Sequence, residues 1–149
     1  MKVSLRSTYG IMAAVDLAMQ DGSAPIQAKS IARRQGIPAR FLEQVLHEMK
    51  RAGLVSSLRG AQGGYVLSKK ASELSVAEIL EALDGPFLAV SGLNGQKHLR
   101  HSGKSNALLA KVWDRVCKAE RQVLEAITVE ELAGQQRQLE QQRTLMYHI

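Results

Sequence analysis

The amino-acid sequence predicts a mainly α-helical chain with a small β-hairpin wing, a winged helix-turn-helix followed by a long C-terminal helix. Three observations carry this prediction. Two short amphipathic segments flank Gly36-Ile37-Pro38, the signature of a helix-turn-helix. Two short apolar runs flank Arg59-Gly60-Ala61-Gln62-Gly63-Gly64, a glycine-rich hairpin tip that carries a cation. Between Leu109 and Ala126 the apolar residues alternate steps of three and four, the spacing of a coiled-coil seam.

The first helix is expected over residues 7–20, where Ile11, Ala14, Val15, Ala18 and Met19 recur at helical spacing before Asp21-Gly22 closes the segment. Pro25 marks a turn. A short helix over 27–35 turns Ile31 and Ala32 inward and stops at Gly36, which can take the positive φ of a helix exit. Pro38 restarts the chain as a first-turn residue, where its missing N–H costs nothing, and the third helix runs to about Ala52. Residues 54–58 and 65–68 read as the strands of the wing. Ser75 with Glu78 three residues on forms a capping box that starts a fourth helix, and Asp84-Gly85-Pro86 ends it. Residues 90–106 are rich in Gly, Ser, Asn, Lys and His and read as a mobile loop. A long helix over 106–127 and a last one over 128–145 complete the chain. The expected organisation is a DNA-binding domain at 1–83, a flexible loop at 84–105 and a helical dimerisation region at 106–149.

Composition narrows the function. Of the 149 residues, 45% are apolar and only 4% aromatic, so the core must be built from aliphatic side chains. No run reaches the roughly 18 apolar residues of a membrane span, and Met1 to Ser7 lacks the apolar centre of a secretory signal, so a cytoplasmic location is expected. The net charge is +6, and its placement is uneven. Residues 1–70 hold 11 Lys or Arg against 4 Asp or Glu, whereas residues 71–149 hold 9 against 10. A basic first half favours phosphate through counterion release. No Ser/His/Asp, Cys/His or paired-carboxylate arrangement suggests an enzyme.

The candidate DNA-reading residues follow from the helical pattern. Leu42, Val45, Leu46 and Met49 share one face of the third helix, leaving Arg40, Glu43, Gln44 and His47 on the other. Arg can bond guanine, Gln adenine, and Glu the amino group of cytosine. Phe41 lies at the edge of the apolar face, placed for the core or for a thymine methyl. Arg59 beside Gly60 can enter the minor groove, where the negative potential is concentrated. The glycine-rich tip lacks the Gly-Lys-Ser/Thr ending and following helix of a nucleotide loop. At the entrance of the first helix, Ser4, Arg6, Ser7 and Tyr9 could position a phosphate, with Ser7 or Thr8 equally placed to be a simple cap. In the long helix Leu109, Val112, Val116 and Val123, flanked by Trp113, form a dimerisation stripe. Leu124 and Ile127 widen it to a second side that one chain has little left to cover.

Arg6-Ser7-Thr8-Tyr9-Gly10, Ile37 through Leu46, and Gly53 through Gly60 with Gly63-Gly64-Tyr65 resemble the Rrf2 family of bacterial winged-helix transcription regulators. Trp113 and the segment Ala126 to Leu132 extend the resemblance over nearly the whole chain. It implies a homodimer joined by the long helix on double-stranded DNA, with Glu43 and Gln44 in the major groove and Arg59 in the minor groove. Repression is the expected mode of action; the operator, the regulated genes and any effector or partner protein stay open. One departure stands out. Many members hold an iron–sulfur cluster on three cysteines before the long helix, and residues 84–110 contain no cysteine. Cys117 reads as a small buried hydrophobe, and His98 and His101 as solvated loop residues, so no cofactor and no metal are expected. The competing reading is a protein-interaction scaffold that uses a winged helix without operator binding; the basic first half argues against it.

Overall fold

In a computed structural model, which describes residues 3–20, 24–86 and 105–148, helix α1 (Leu5–Met19) begins two residues before the expected start. The cap is Ser4, neither Ser7 nor Thr8: its hydroxyl accepts from the Ser7 amide at 3.1 Å. The buried face of α1 is made of small residues, Gly10, Ala13 and Ala14, with Leu17. A Cβ on Gly10 would collide with the Leu83 side chain, so its absence lets a later helix approach closely.

Asp16, almost wholly buried, ties α1 to helix α2 (Ala28–Gln35). Arg34 donates to its two oxygens from Nε and Nη2 at 3.0 and 2.7 Å, and Gln35 adds a third bond at 2.9 Å. A buried carboxylate is tolerable only when so paired. The bond to Asp16 in turn raises the pKa of the Arg34 guanidinium. Gly36 takes the left-handed conformation expected of it, at φ 66°. Pro38 sits one position outside helix α3 (Ala39–Arg51) as its N-cap, and its carbonyl accepts from the Leu42 amide at 3.0 Å.

The wing consists of antiparallel strands β1 (Val55–Leu58) and β2 (Gly64–Leu67), with Ser57 opposite Tyr65 and Leu58 opposite Gly64. The segment read from the sequence as a plain turn after Pro25 adds a third partner. Ile26 and Tyr65 exchange backbone hydrogen bonds of 3.0 and 2.8 Å, so the approach to α2 docks along β2. A 3₁₀ turn (Ala71–Glu73) leads to helix α4 (Val76–Asp84), opened by the expected Ser75–Glu78 capping box. Lys69 pairs with the same Glu78.

Helix α5 (Ser105–Ala126) and helix α6 (Val129–Tyr147) follow. Their junction is stitched to the start of α4: Val76 donates to the Ile127 carbonyl at 2.9 Å and Val129 to that of Leu74 at 2.8 Å. Two apolar clusters result. The larger gathers α1, α2, α3, the wing base and Val129; the smaller sets Val76, Ala77 and Leu80 of α4 against Ile11, Leu124, Ile127 and Leu132. Residues 87–104, which hold His98, His101 and most of the expected loop, lie outside the described residues. No helix among the described residues is long and apolar enough to cross a membrane.

Candidate nucleic-acid interface

Helix α3 divides sharply. Leu42, Val45, Leu46 and Met49 are at most 1% exposed, so the helix cannot rotate without opening the core. That anchoring leaves Arg40, Glu43, Gln44 and His47 exposed as a set. Glu48, half-buried, is taken up by Arg6 of α1 in an ion pair that fixes α3 against α1. Arg6 thus contributes to the fold through one nitrogen while its side chain stays partly exposed. Phe41 is half-buried at the edge of the apolar face and meets the Tyr9 ring edge-on, centroids 5.4 Å apart. Tyr9 thus supports the start of α3 from beneath.

Ser7 requires a correction. With the helix starting at Leu5, Ser7 falls on the inner face of the first turn and is 0% exposed, out of reach of a phosphate. The entrance is instead occupied by protein. Asp84, at the far end of α4, receives the Ser4 amide at 3.2 Å and the Ser4 hydroxyl. Partial burial pushes the Asp84 carboxyl upward, but the Ser4 and Ser7 hydroxyls, the Ser4 amide and the charge of Arg6 together outweigh it and hold the pKa below its ordinary value.

Arg59 and Gly60 are exposed just beyond the end of β1, Gly60 at φ 111°. The Gln27 amide donates to the Ala61 carbonyl at 3.4 Å, linking the wing tip to the start of α2. Neither this link nor the Ile26 bridge has a periodicity to read in the sequence, because each rests on a single residue. Together they hold the tip relative to α2 and hence to α3.

The two sides of α5 have different fates. Leu124 and Ile127 pack onto α4, whereas Leu109, Val112, Trp113 and Val116 remain 41–45% exposed and Val123 61%. Cys117, one turn from Trp113, is buried as expected.

The family pattern for Rrf2, described as an iron-dependent transcriptional regulator, matches residues 3–135. The chain is 33% identical over 134 residues to the regulator CymR of Bacillus subtilis, covering 90% of this chain and 91% of that one. It is equally 33% identical, over 140 residues, to the regulator IscR of Photorhabdus laumondii, covering 94% and 84%. Among solved structures, CymR of B. subtilis, described as its global cysteine regulator, superposes with a TM-score of 0.75 at 32% identity over 90% of this chain and 97% of that one. IscR of T. potens gives 0.71 at 35% identity over 91% and 88%. The iron in the family description finds a poor match in this donor set. Iron–sulfur clusters are held chiefly by thiolates, and the single cysteine, Cys117, is buried within a helix. By sequence and fold alike, the chain is a DNA-binding transcription regulator, not an enzyme, and belongs to the Rrf2 family.

Proposed function

We propose that the chain is a homodimeric, operator-specific repressor that reads the major groove with α3 and the minor groove with the wing. The observation that carries this is the set Arg40, Glu43, Gln44 and His47, exposed on a helix whose opposite face is locked in the core. The N-terminal part of such a helix is what reaches base edges, and these side chains suit guanine, cytosine and adenine. Phe41 stands beside them at the groove edge. Arg59 and Gly60 extend the contact to the neighbouring minor groove. Pairing through α5 supplies the two-fold symmetry for two half-sites.

Binding-site selection with the purified chain, read at several salt concentrations, tests this reading. A palindromic sequence should emerge, with affinity falling as salt rises. Glu43→Ala should broaden the selected sequences at one position per half-site, since a carboxylate rejects bases that lack a donor there. Retention of all duplexes alike, or of none, would favour the protein-scaffold reading instead.

A further inference from the structure

A cleft of about 810 Å³ opens where the exit of β2 passes between the end of α1, the 3₁₀ turn and α6. Its size lies within the range of small-molecule sites. Leu67 and Ala18 contribute apolar lining, Lys70 and Arg137 two cations, and Glu73 and Glu130 two carboxylates. Arg137 Nη2 donates to the Ala18 carbonyl at 3.1 Å, which holds the guanidinium at the cleft with other N–H groups left over. The neighbouring Lys69 is committed to Glu78. Among the described residues Lys70, Glu73 and Glu130 have no side-chain hydrogen bond or ion pair, and all three are exposed. Four charges of balanced sign around one cleft, three of them unspent, discriminate by charge type. A simple anion meets two carboxylates, a simple cation meets Lys70 and Arg137, and a molecule bearing both signs is met by both.

We infer that this cleft binds an amino-acid-like zwitterion, its carboxylate toward Lys70 and Arg137 and its ammonium toward Glu73 and Glu130. Lys70 lies three residues beyond β2, and Arg137 is on α6, which packs on α1. A ligand bridging the two would reinforce the packing of the 3₁₀ turn on α6 that already joins the exit of the wing to the C-terminal helix. That consequence, unlike the binding itself, rests on the DNA-reading role proposed above.

The test uses the full chain without DNA. Thermal melts are recorded with each common free amino acid at millimolar concentration, and hits are titrated calorimetrically. At least one amino acid should raise the Tm in a saturable way, because a ligand that binds only the folded state stabilises it. Its amide and its deaminated acid should not. Lys70→Ala and Glu130→Ala, both surface changes, should fold normally by circular dichroism and each weaken binding about tenfold. If no amino acid raises the Tm, or both variants bind as the parent does, the site is refuted. Operator affinity measured with and without a hit then separates the two steps. A persistent Tm shift with unaltered operator affinity overturns the link to the wing and leaves the site standing.

Discussion

Arg59 illustrates how much a single position can carry when its neighbours are known. Its side chain is exposed at the wing tip, and Gly60 beside it occupies a backbone conformation that L side chains rarely adopt. Nothing in the fold depends on the guanidinium, so Arg59→Ala should weaken operator binding by about 1–3 kcal/mol and leave the melting curve unchanged. Equal affinity in a titration of parent and variant would remove Arg59 from the interface. Asp84 is the opposite case, a residue whose worth lies in the fold. Its pKa is lower in the folded chain than in the unfolded one. The stability it contributes is therefore complete above the unfolded carboxylate value and is lost as pH falls through the folded value. Glu78, whose pKa is likewise depressed against the cost of its burial by Lys69 and the Ser75 cap, acts in the same direction. Acid should accordingly lower the Tm below about pH 4, and Ser4→Ala should flatten that decline because it removes one of the bonds that depress Asp84. An identical pH profile for Ser4→Ala would show that the Ser4–Asp84 link contributes nothing. Ser7 shows where reading one residue at a time breaks down. Hydroxyls at positions 4, 7 and 8 are chemically equivalent caps, and the one that caps, Ser4, also bonds Asp84 eighty positions away, a contact that local sequence does not contain.

At the scale of elements, what was legible depended on periodicity. Helices α2 and α3 were readable because Gly36 and Pro38 punctuate them and because Leu42, Val45, Leu46 and Met49 repeat at helical spacing. The Ser75–Glu78 capping box announced α4, and the alternating apolar steps announced α5. The docking of Ile26 on the wing was not legible, since its partner Tyr65 is distant in the chain and the contact involves backbone only. The sole sequence mark it leaves is Gly64, which the sequence shows only as one glycine of a glycine-rich hairpin tip. In the structure Gly64 has φ 149°, and a Cβ there would stand 2.5 Å from the Ile26 carbonyl oxygen and 2.8 Å from the Gln27 nitrogen. Backbone cannot yield as a side-chain end can. Gly64→Ala should then cost at least about 1–3 kcal/mol by strain, and more if the Ile26 bridge opens. Because that bridge sets the wing against α2, the variant should also lose operator affinity at temperatures where it is still folded. Denaturant melts and binding titrations check both effects. Parental stability would mean that the approach to α2 is free to move away from β2.

For the molecule as a whole, the decisive feature is that α5 is half satisfied. Its C-terminal end, through Leu124 and, just beyond the last turn, Ile127, completes a small core with α4 and so joins the helix to the elements before it. Along its length Leu109, Val112, Trp113, Val116 and Val123 stay open to solvent on consecutive turns. A single exposed leucine means little, but a continuous stripe on a helix already anchored elsewhere is the form of an interface awaiting its partner. The heptad spacing of this stripe suits a like helix, and pairing with a second copy across a two-fold axis repeats the same contact on both chains. Under the pairing proposed above, α5 would set the distance between the two α3 helices, the property needed to match half-sites one helical turn apart. Burial of each Val or Leu is worth roughly 1.5–3 kcal/mol, so one carboxylate in the middle of the seam opposes several such contributions. Val116→Glu should sediment as a monomer where the parent is a dimer. It should lose operator binding even though α3 and the wing are untouched, and it should retain the parental helical content because position 116 faces away from both cores. A variant that stays dimeric and binds normally, or a parent that sediments as a monomer at micromolar concentration, would take the pairing away from α5.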